Sequence, residues 1–247
     1  MAQTDLAGKV VLVTGAGSGL GEATARAFAR AGCSVACADV NLEGAERVSR
    51  SLSEGGARSL ALRCDVSREE DVFGGVDRIV ERYGRLDVVV NNAAVDHTVS
   101  VEEMTVAQWD QVIAVNLRAP FLTAKAAWPH MSRQGGGHVI NVASTAALRM
   151  WANASAYHAS KTGLVAFGRA LGVEGRPRNI RVTTVIPGGM RTHFFDRFVE
   201  QGIPMPDEAN LQDPANVADV IVYAVGMPGS SALQEVMVTP LTETSWP

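Results

Sequence analysis

Short runs dense in Val, Ile and Leu alternate along the chain with longer stretches in which apolar residues recur every three to four positions. The runs cover residues 9–13, 34–38, 58–62, 86–90, 138–142, 181–185 and 235–239. Most lack polar alternation, which predicts parallel strands buried on both faces. The intervening stretches, 19–31, 42–53, 69–83, 106–131, 155–174 and 215–225, carry a helical period. Repeated strand–helix order with right-handed crossovers predicts an α/β fold: a doubly wound parallel sheet of seven strands with helices on both faces. No repeat or Pro/Ser-rich linker interrupts it, so residues 1–247 are expected to form a single domain. Ligands of such sheets bind beyond the carboxyl ends of the strands. Residues 188–213 break the rhythm with Pro204 and Pro206 and are expected to form a lid over that crevice.

Composition agrees with a buried globule and narrows the partners. With 47% apolar and 19% charged residues, disorder is excluded. The balance of 22 Lys and Arg against 26 Asp and Glu offers no basic surplus for nucleic acid or anionic lipid. The first residues lack the pattern of a signal peptide, and no apolar run approaches the ~18 residues of a membrane span. A cytoplasmic location is expected. Cys33, Cys37 and Cys64 show no paired spacing and are read as small buried thiols, and the five histidines show no metal-binding motif.

Candidate chemistry begins after the first strand, at Thr14-Gly15-Ala16-Gly17-Ser18-Gly19-Leu20-Gly21. A glycine turn between a strand and a helix start suits a diphosphate, because absent Cβ atoms permit close approach and free N–H groups face the negative charge. The spacing differs from that of a P-loop, which disfavours ATP hydrolysis. The second strand ends at Asp39, whose carboxylate can accept both ribose hydroxyls of an adenosine and repel a 2′-phosphate. No Arg or Lys adjoins it, so NAD(H) is favoured over NADP(H); a cap on the helix near Leu42 is the other role open to Asp39. Tyr157 and Lys161 lie four apart on a predicted helix and share one face. Free tyrosine has a pKa of about 10, and making it a thousandfold stronger acid requires about 4 kcal/mol of phenolate stabilisation, which a nearby ammonium and a cationic nicotinamide can supply.

The order Thr14-Gly15-x-x-x-Gly19-x-Gly21, Asn91-Asn92-Ala93, Asn116, Ser144 and Tyr157-x-x-x-Lys161 resembles the compact subtype of the short-chain dehydrogenase/reductase family over almost the whole chain. The resemblance implies a Rossmann-like fold and a catalytic set of Asn116, Ser144, Tyr157 and Lys161. Tyr157 would act as general acid or base, Ser144 would hold the substrate oxygen, Lys161 would bond the nicotinamide ribose, and Asn116 would hold a water in a proton relay. It implies cofactor contacts from Gly15, Ser18, Gly19, Leu20, Gly21, Asp39, Asp65, Val66, Asn91, Ala93, Tyr157 and Lys161. It adds Pro187, Gly188, Met190 and Thr192 around the carboxamide. Ser144 as a turn cap, Asn116 as a helix-bending residue and Asn91 as a sheet stabiliser stay open as alternatives. Ala94 replaces the usual glycine of the family, Met190 replaces its Val or Ile, and the tail after Glu235 lacks its usual close.

Residues expected around the substrate include Asp96, His97, 146–151, His193, Phe194, Phe195 and Phe198, so a ketone or secondary alcohol with a hydrophobic body is expected. Arg149, Arg191 and His193 are the candidates for anchoring a carboxylate or a thioester carrier, with a solvated lid charge as their ordinary role. The function predicted is hydride transfer between NAD(H) and that alcohol. A non-catalytic, nicotinamide-sensing binding protein is the alternative. The resemblance also implies a homotetramer or homodimer.

Overall fold

The computed structural model describes residues 5–200 and 202–243. Seven parallel strands form one sheet in the order β3-β2-β1-β4-β5-β6-β7: β1 (Val10–Thr14), β2 (Ser34–Asp39), β3 (Ser59–Arg63), β4 (Val88–Asn91), β5 (Gly137–Val142), β6 (Ile180–Pro187) and β7 (Glu235–Val238). The expected doubly wound, Rossmann-like sheet is therefore what the chain forms, with no strand bound moved by more than two residues. Strand order reverses between β1 and β4, which opens a crevice at the carboxyl ends of these two strands.

The helices are α1 (Gly19–Arg30), α2 (Leu42–Glu54), α3 (Glu69–Tyr83), α4 (Val106–Ile113), α5 (Ala119–Arg133), α6 (Ser155–Gly175), α7 (Asp196–Glu200) and α8 (Pro214–Val225). Local chemistry starts several of them. Asn41 accepts the Gly44 N–H ahead of α2, Thr105 and Gln108 form a capping box on α4, and Asp213 accepts the Ala215 N–H beside Pro214 at the first turn of α8. Side chains on opposite faces of each strand feed two cores. Val11 and Val13 pack with α1, α2 and α8 residues such as Phe28, Val48 and Ile221, while Val10 and Leu12 pack with α3 and α5 residues such as Ile79 and Met131. The three cysteines are buried and unbridged, and desolvation raises the thiols of Cys33, Cys37 and Cys64 to about 11, 12 and 11, which keeps them protonated and unreactive.

One departure from the sequence expectation bears on the site. The helix expected over 106–131 is divided by a π-helical turn, Ala114–Arg118, which contains Asn116. Pro120 has no N–H to give the Asn116 carbonyl one turn back, so the ordinary hydrogen-bond ladder fails there and the helix widens. Among the described residues no helix is long and apolar enough to cross a membrane.

Candidate active site

The glycine turn after β1 is shaped by backbone demands at three positions. Gly15 and Gly19 have φ of 63° and 54°, in the left-handed region. Gly21 serves packing instead: a Cβ there would stand 1.9 Å from the Gly15 carbonyl oxygen. Gly21→Ala is accordingly expected to open the turn and lower stability by about 3 kcal/mol or more, read as a fall in urea midpoint. Ser18 stands before the first turn of α1 without bonding its N–H groups, which leaves them directed to the crevice.

Thr14 and Asn92, motif residues with no role expected from sequence, weld this turn to the loop after β4. The Asn92 side-chain amide donates to the carbonyls of Thr14 (2.9 Å) and Gly15 (3.2 Å). The Thr14 hydroxyl accepts from the N–H groups of Asn92 (3.1 Å) and Ala93 (3.2 Å) and donates to Val90 O (3.2 Å). The sequence signal was the polar pair ending neighbouring strands, visible only once β1 and β4 are known to be adjacent.

Asp39 lines the crevice but does not cap α2; Asn41 does. One Asp39 oxygen accepts the Gly17 N–H at 2.8 Å and the other the Asn41 N–H at 2.9 Å, so the carboxylate also braces the glycine turn. Although no base adjoins Asp39 in sequence, the fold brings Arg47 to Gly17, the residue whose N–H Asp39 accepts, with its guanidinium 2.8 Å from the Gly17 carbonyl. Arg47 also pairs with Glu22, holding that carboxyl below its ordinary range despite partial burial. Asp65 and Val66 line the same crevice, and one Asp65 oxygen is held by the Ser67 N–H (2.9 Å) and hydroxyl (2.7 Å).

Farther along, the same cavity is lined by Ser144, Tyr157, Lys161, Pro187, Gly188, Met190 and Thr192, and its volume is about 770 Å³. Ser144 lies two residues beyond β5, and its hydroxyl oxygen accepts the Ala146 N–H at 3.1 Å, so it does cap the short turn that follows. That bond leaves its O–H proton available to donate. On α6, Lys161 is 2% exposed; its Nζ lies 5.6 Å from the Tyr157 ring centre and donates to Val142 O at 2.8 Å. Burial lowers Lys161 to about 7, so its proton is exchangeable near neutrality. Tyr157 is 8% exposed and packs against Phe194 of the 188–213 segment, ring centres 5.6 Å apart.

Three expected site residues stand back from this cavity. Gly21 is under the turn, as described. Asn91 is buried in the sheet, where its amide donates to Asn141 Oδ1 at 2.9 Å and its oxygen accepts from Thr123, so its side chain joins β4, β5 and α5. Asn116 is buried in the π turn. Its side chain accepts the Val95 N–H (2.9 Å) and donates to Val95 O (2.8 Å) and Ser160 Oγ (3.1 Å), clamping the strand β4 loop to α6.

The substrate end is walled by Trp151, Phe194, Phe195 and Phe198, with Asp96 and Thr98 as the polar side. Phe195 and Phe198 stack edge to face at 5.3 Å. His97 turns to Gln111 at 2.8 Å. Arg191 donates to Leu211 O at 2.8 Å and His193 meets Asp196 at 2.9 Å, so both are engaged within the 188–213 segment itself. The ends of that segment are tied together by a Met190–Gln212 bridge, and a Cβ on Gly19 would stand 3.3 Å from the Thr192 side chain.

Residues 9–202 match the family model for short chain dehydrogenases. The chain belongs to the short-chain dehydrogenase family. Cyclohexanol dehydrogenase of Acinetobacter sp. is 35% identical over 217 residues, covering 87% of this chain and 86% of that protein. Among solved structures, an alcohol dehydrogenase from Thermococcus sibiricus complexed with 5-hydroxy-NADP superposes with TM-score 0.86 at 27% identity, covering 95% of this chain and 97% of its own. The 3-ketoacyl-(acyl-carrier-protein) reductase of Brucella melitensis, complexed with NADH, gives 0.85 at 32% identity over 94% and 97%. The chain is thus an oxidoreductase of a family that works by hydride transfer with nicotinamide dinucleotides.

Proposed function

We propose that this short-chain dehydrogenase uses NAD(H) to interconvert a ketone and a secondary alcohol whose body is hydrophobic. The observation that carries the reading is the convergence of Ser144, Tyr157 and Lys161 on one wall of a cavity that runs on to the glycine turn and Asp39. The residues present fit a dinucleotide. Gly15 and Gly19 leave a cradle without Cβ atoms, the start of α1 offers N–H groups to a diphosphate, and Asp39 and Asp65 supply acceptors at the far end. Backbone at Pro187, Gly188 and Met190, with Thr192, would hold the nicotinamide end. Bound there, the nicotinamide supplies hydride acceptance and donation.

Ser144 donates its hydroxyl proton to the substrate oxygen. Tyr157 gives a proton to that oxygen during reduction and takes it during oxidation. Lys161, desolvated and close to the Tyr157 ring, favours the phenolate when charged and can take up a proton when it is neutral. The Asn116 carbonyl, deprived of an ordinary helical donor by Pro120, is the group of that residue suited to hold a relay water. Residues 188–213 act as a lid, packing Phe194 on Tyr157. Exposed Trp109, Phe121 and Val173 on α4, α5 and α6 support pairing with a second copy, which light scattering would report as a dimer or tetramer mass.

The test is nicotinamide absorbance with NAD(H) and NADP(H) across cyclic and acyclic secondary alcohols and their ketones. Turnover with NAD(H) supports the reading; tight NADH binding with no turnover on any substrate class would favour a sensor. Cofactor choice has its own test. Asp39→Ser removes the charge that repels a 2′-phosphate, and the preference for NAD(H) over NADP(H) in kcat/KM is expected to fall by about tenfold or more. An unchanged ratio would assign selectivity to another group.

A further inference from the structure

The loop after β5 carries both Ser144 and Trp151, and α6 carries Tyr157 and Lys161. Two side chains on one stripe of α6 sew these elements together: His158, and one turn on Thr162, whose hydroxyl donates to Ala147 O at 3.2 Å. His158 is 6% exposed. Its Nδ1 lies 2.7 Å from Ala146 O, and because a carbonyl can only accept, Nδ1 carries the proton. In the neutral ring Nε2 is then an acceptor. It lies 3.1 Å from the Trp151 backbone nitrogen and 3.2 Å from the Trp151 carbonyl, and only the former can donate to it. The imidazole also meets the Trp151 indole edge to face, ring centres 4.4 Å apart. Trp151 itself is 48% exposed yet lines the substrate end of the cavity, so its own burial does little to place it.

We infer that His158 is a positioning residue with two separable tasks: Nδ1 keeps the Ser144 loop in register with Tyr157, and Nε2 holds Trp151 as the wall that limits the size of the substrate body. The kinetic consequence rests on the dehydrogenase reading; the placement of Trp151 does not. Two substitutions split the tasks. Asn puts an amide nitrogen near the place of Nδ1 but falls short of Trp151, whereas Gln brings a carbonyl oxygen to the place of Nε2.

Hydrogen exchange at the Trp151 backbone amide is expected to quicken by about tenfold or more in His158→Asn and to stay near wild type in His158→Gln. In kinetics, the kcat/KM preference for cyclohexanol over 4-tert-butylcyclohexanol is expected to drop about tenfold in His158→Asn, as it does in Trp151→Ala, with no further drop in the double variant. The kcat for cyclohexanol should fall further with Gln than with Asn, because Gln releases Ala146. Equal exchange in the two variants overturns the placement. Additive effects, or a uniform loss of kcat with the size preference intact, overturn the size-limiting role and leave His158 a merely structural residue. If the wild-type enzyme turns over neither alcohol, the proposed substrate class fails, and amide exchange still decides whether His158 places Trp151.

Discussion

Tyr157→Phe is expected to lower kcat by about 10²–10⁴-fold while NADH affinity stays nearly unchanged. The substitution keeps the ring, and with it the 5.6 Å contact to Phe194 and the packing around Ala146 and Ala154. It removes the group proposed to carry the transferred proton. Because the proposed cradle for the dinucleotide is built from the glycine turn, Asp39 and the segment after β6, binding measured by fluorescence titration should survive. Loss of turnover and binding together would mean that the hydroxyl supports the cofactor site rather than the chemistry. Retained turnover would mean that another acid does the work. Ser144→Ala offers the comparison, since it also removes the cap on the Ala146 N–H and so would combine loss of the proposed substrate bond with a loosened loop.

A second large effect is expected in stability rather than activity, at His138. This histidine is 1% exposed in β5 with Nε2 2.8 Å from the Thr183 hydroxyl of β6, and Nδ1 has no hydrogen-bond partner among the described residues. Burial, helped by nearby Arg181, lowers it from the ordinary 6.5 to about 3. Between these values the unfolded chain holds a proton that the folded chain does not. Stability therefore rises with pH through this window and is lost as pH falls from 6.5 toward 3. The full loss is about 5 kcal/mol, of which about 2–3 kcal/mol is gone by pH 4.5. Urea unfolding of the wild type and His138→Gln at pH 7 and 4.5 separates this contribution from that of the carboxylates. The variant should lose less stability between the two values, and parallel losses would show that His138 can be charged in the folded state.

Much of the architecture was legible from local pattern alone. Buried parallel strands such as Val10–Thr14 and Val88–Asn91 need apolar side chains on both faces, and the amphipathic period of α2 and α3 leaves one face for the sheet. The glycine turn was legible for the same kind of reason: φ at Gly15 and Gly19 and the contact of Gly21 with Gly15 are demands that neighbouring residues make on one another. Tyr157 and Lys161 could be paired because a helix puts residues four apart on one face.

What the sequence could not decide were relations between segments far apart in the chain. For Asn91 a cofactor contact and a sheet-stabilising role were both open from sequence, and its side chain bonds Asn141 and Thr123, since only strand and helix neighbours determine which way a strand-end side chain is satisfied. Arg47 reaches the Gly17 carbonyl although nothing basic adjoins the glycine turn in sequence, because the α2 backbone at Gly44 packs on Gly17. The helix through Asn116 widened where Pro120 removed a donor, a local cause whose use depends on the Val95 loop and Ser160 closing around it. His158 had no motif to mark it, and its place follows from where the β5 loop crosses α6. Periodicity and spacing determined the sheet, the glycine cradle and the Tyr157–Lys161 face, because those depend on backbone geometry within one element. The partners of each polar side chain were decided by the tertiary structure, because a hydrogen bond needs two groups brought together by separate elements.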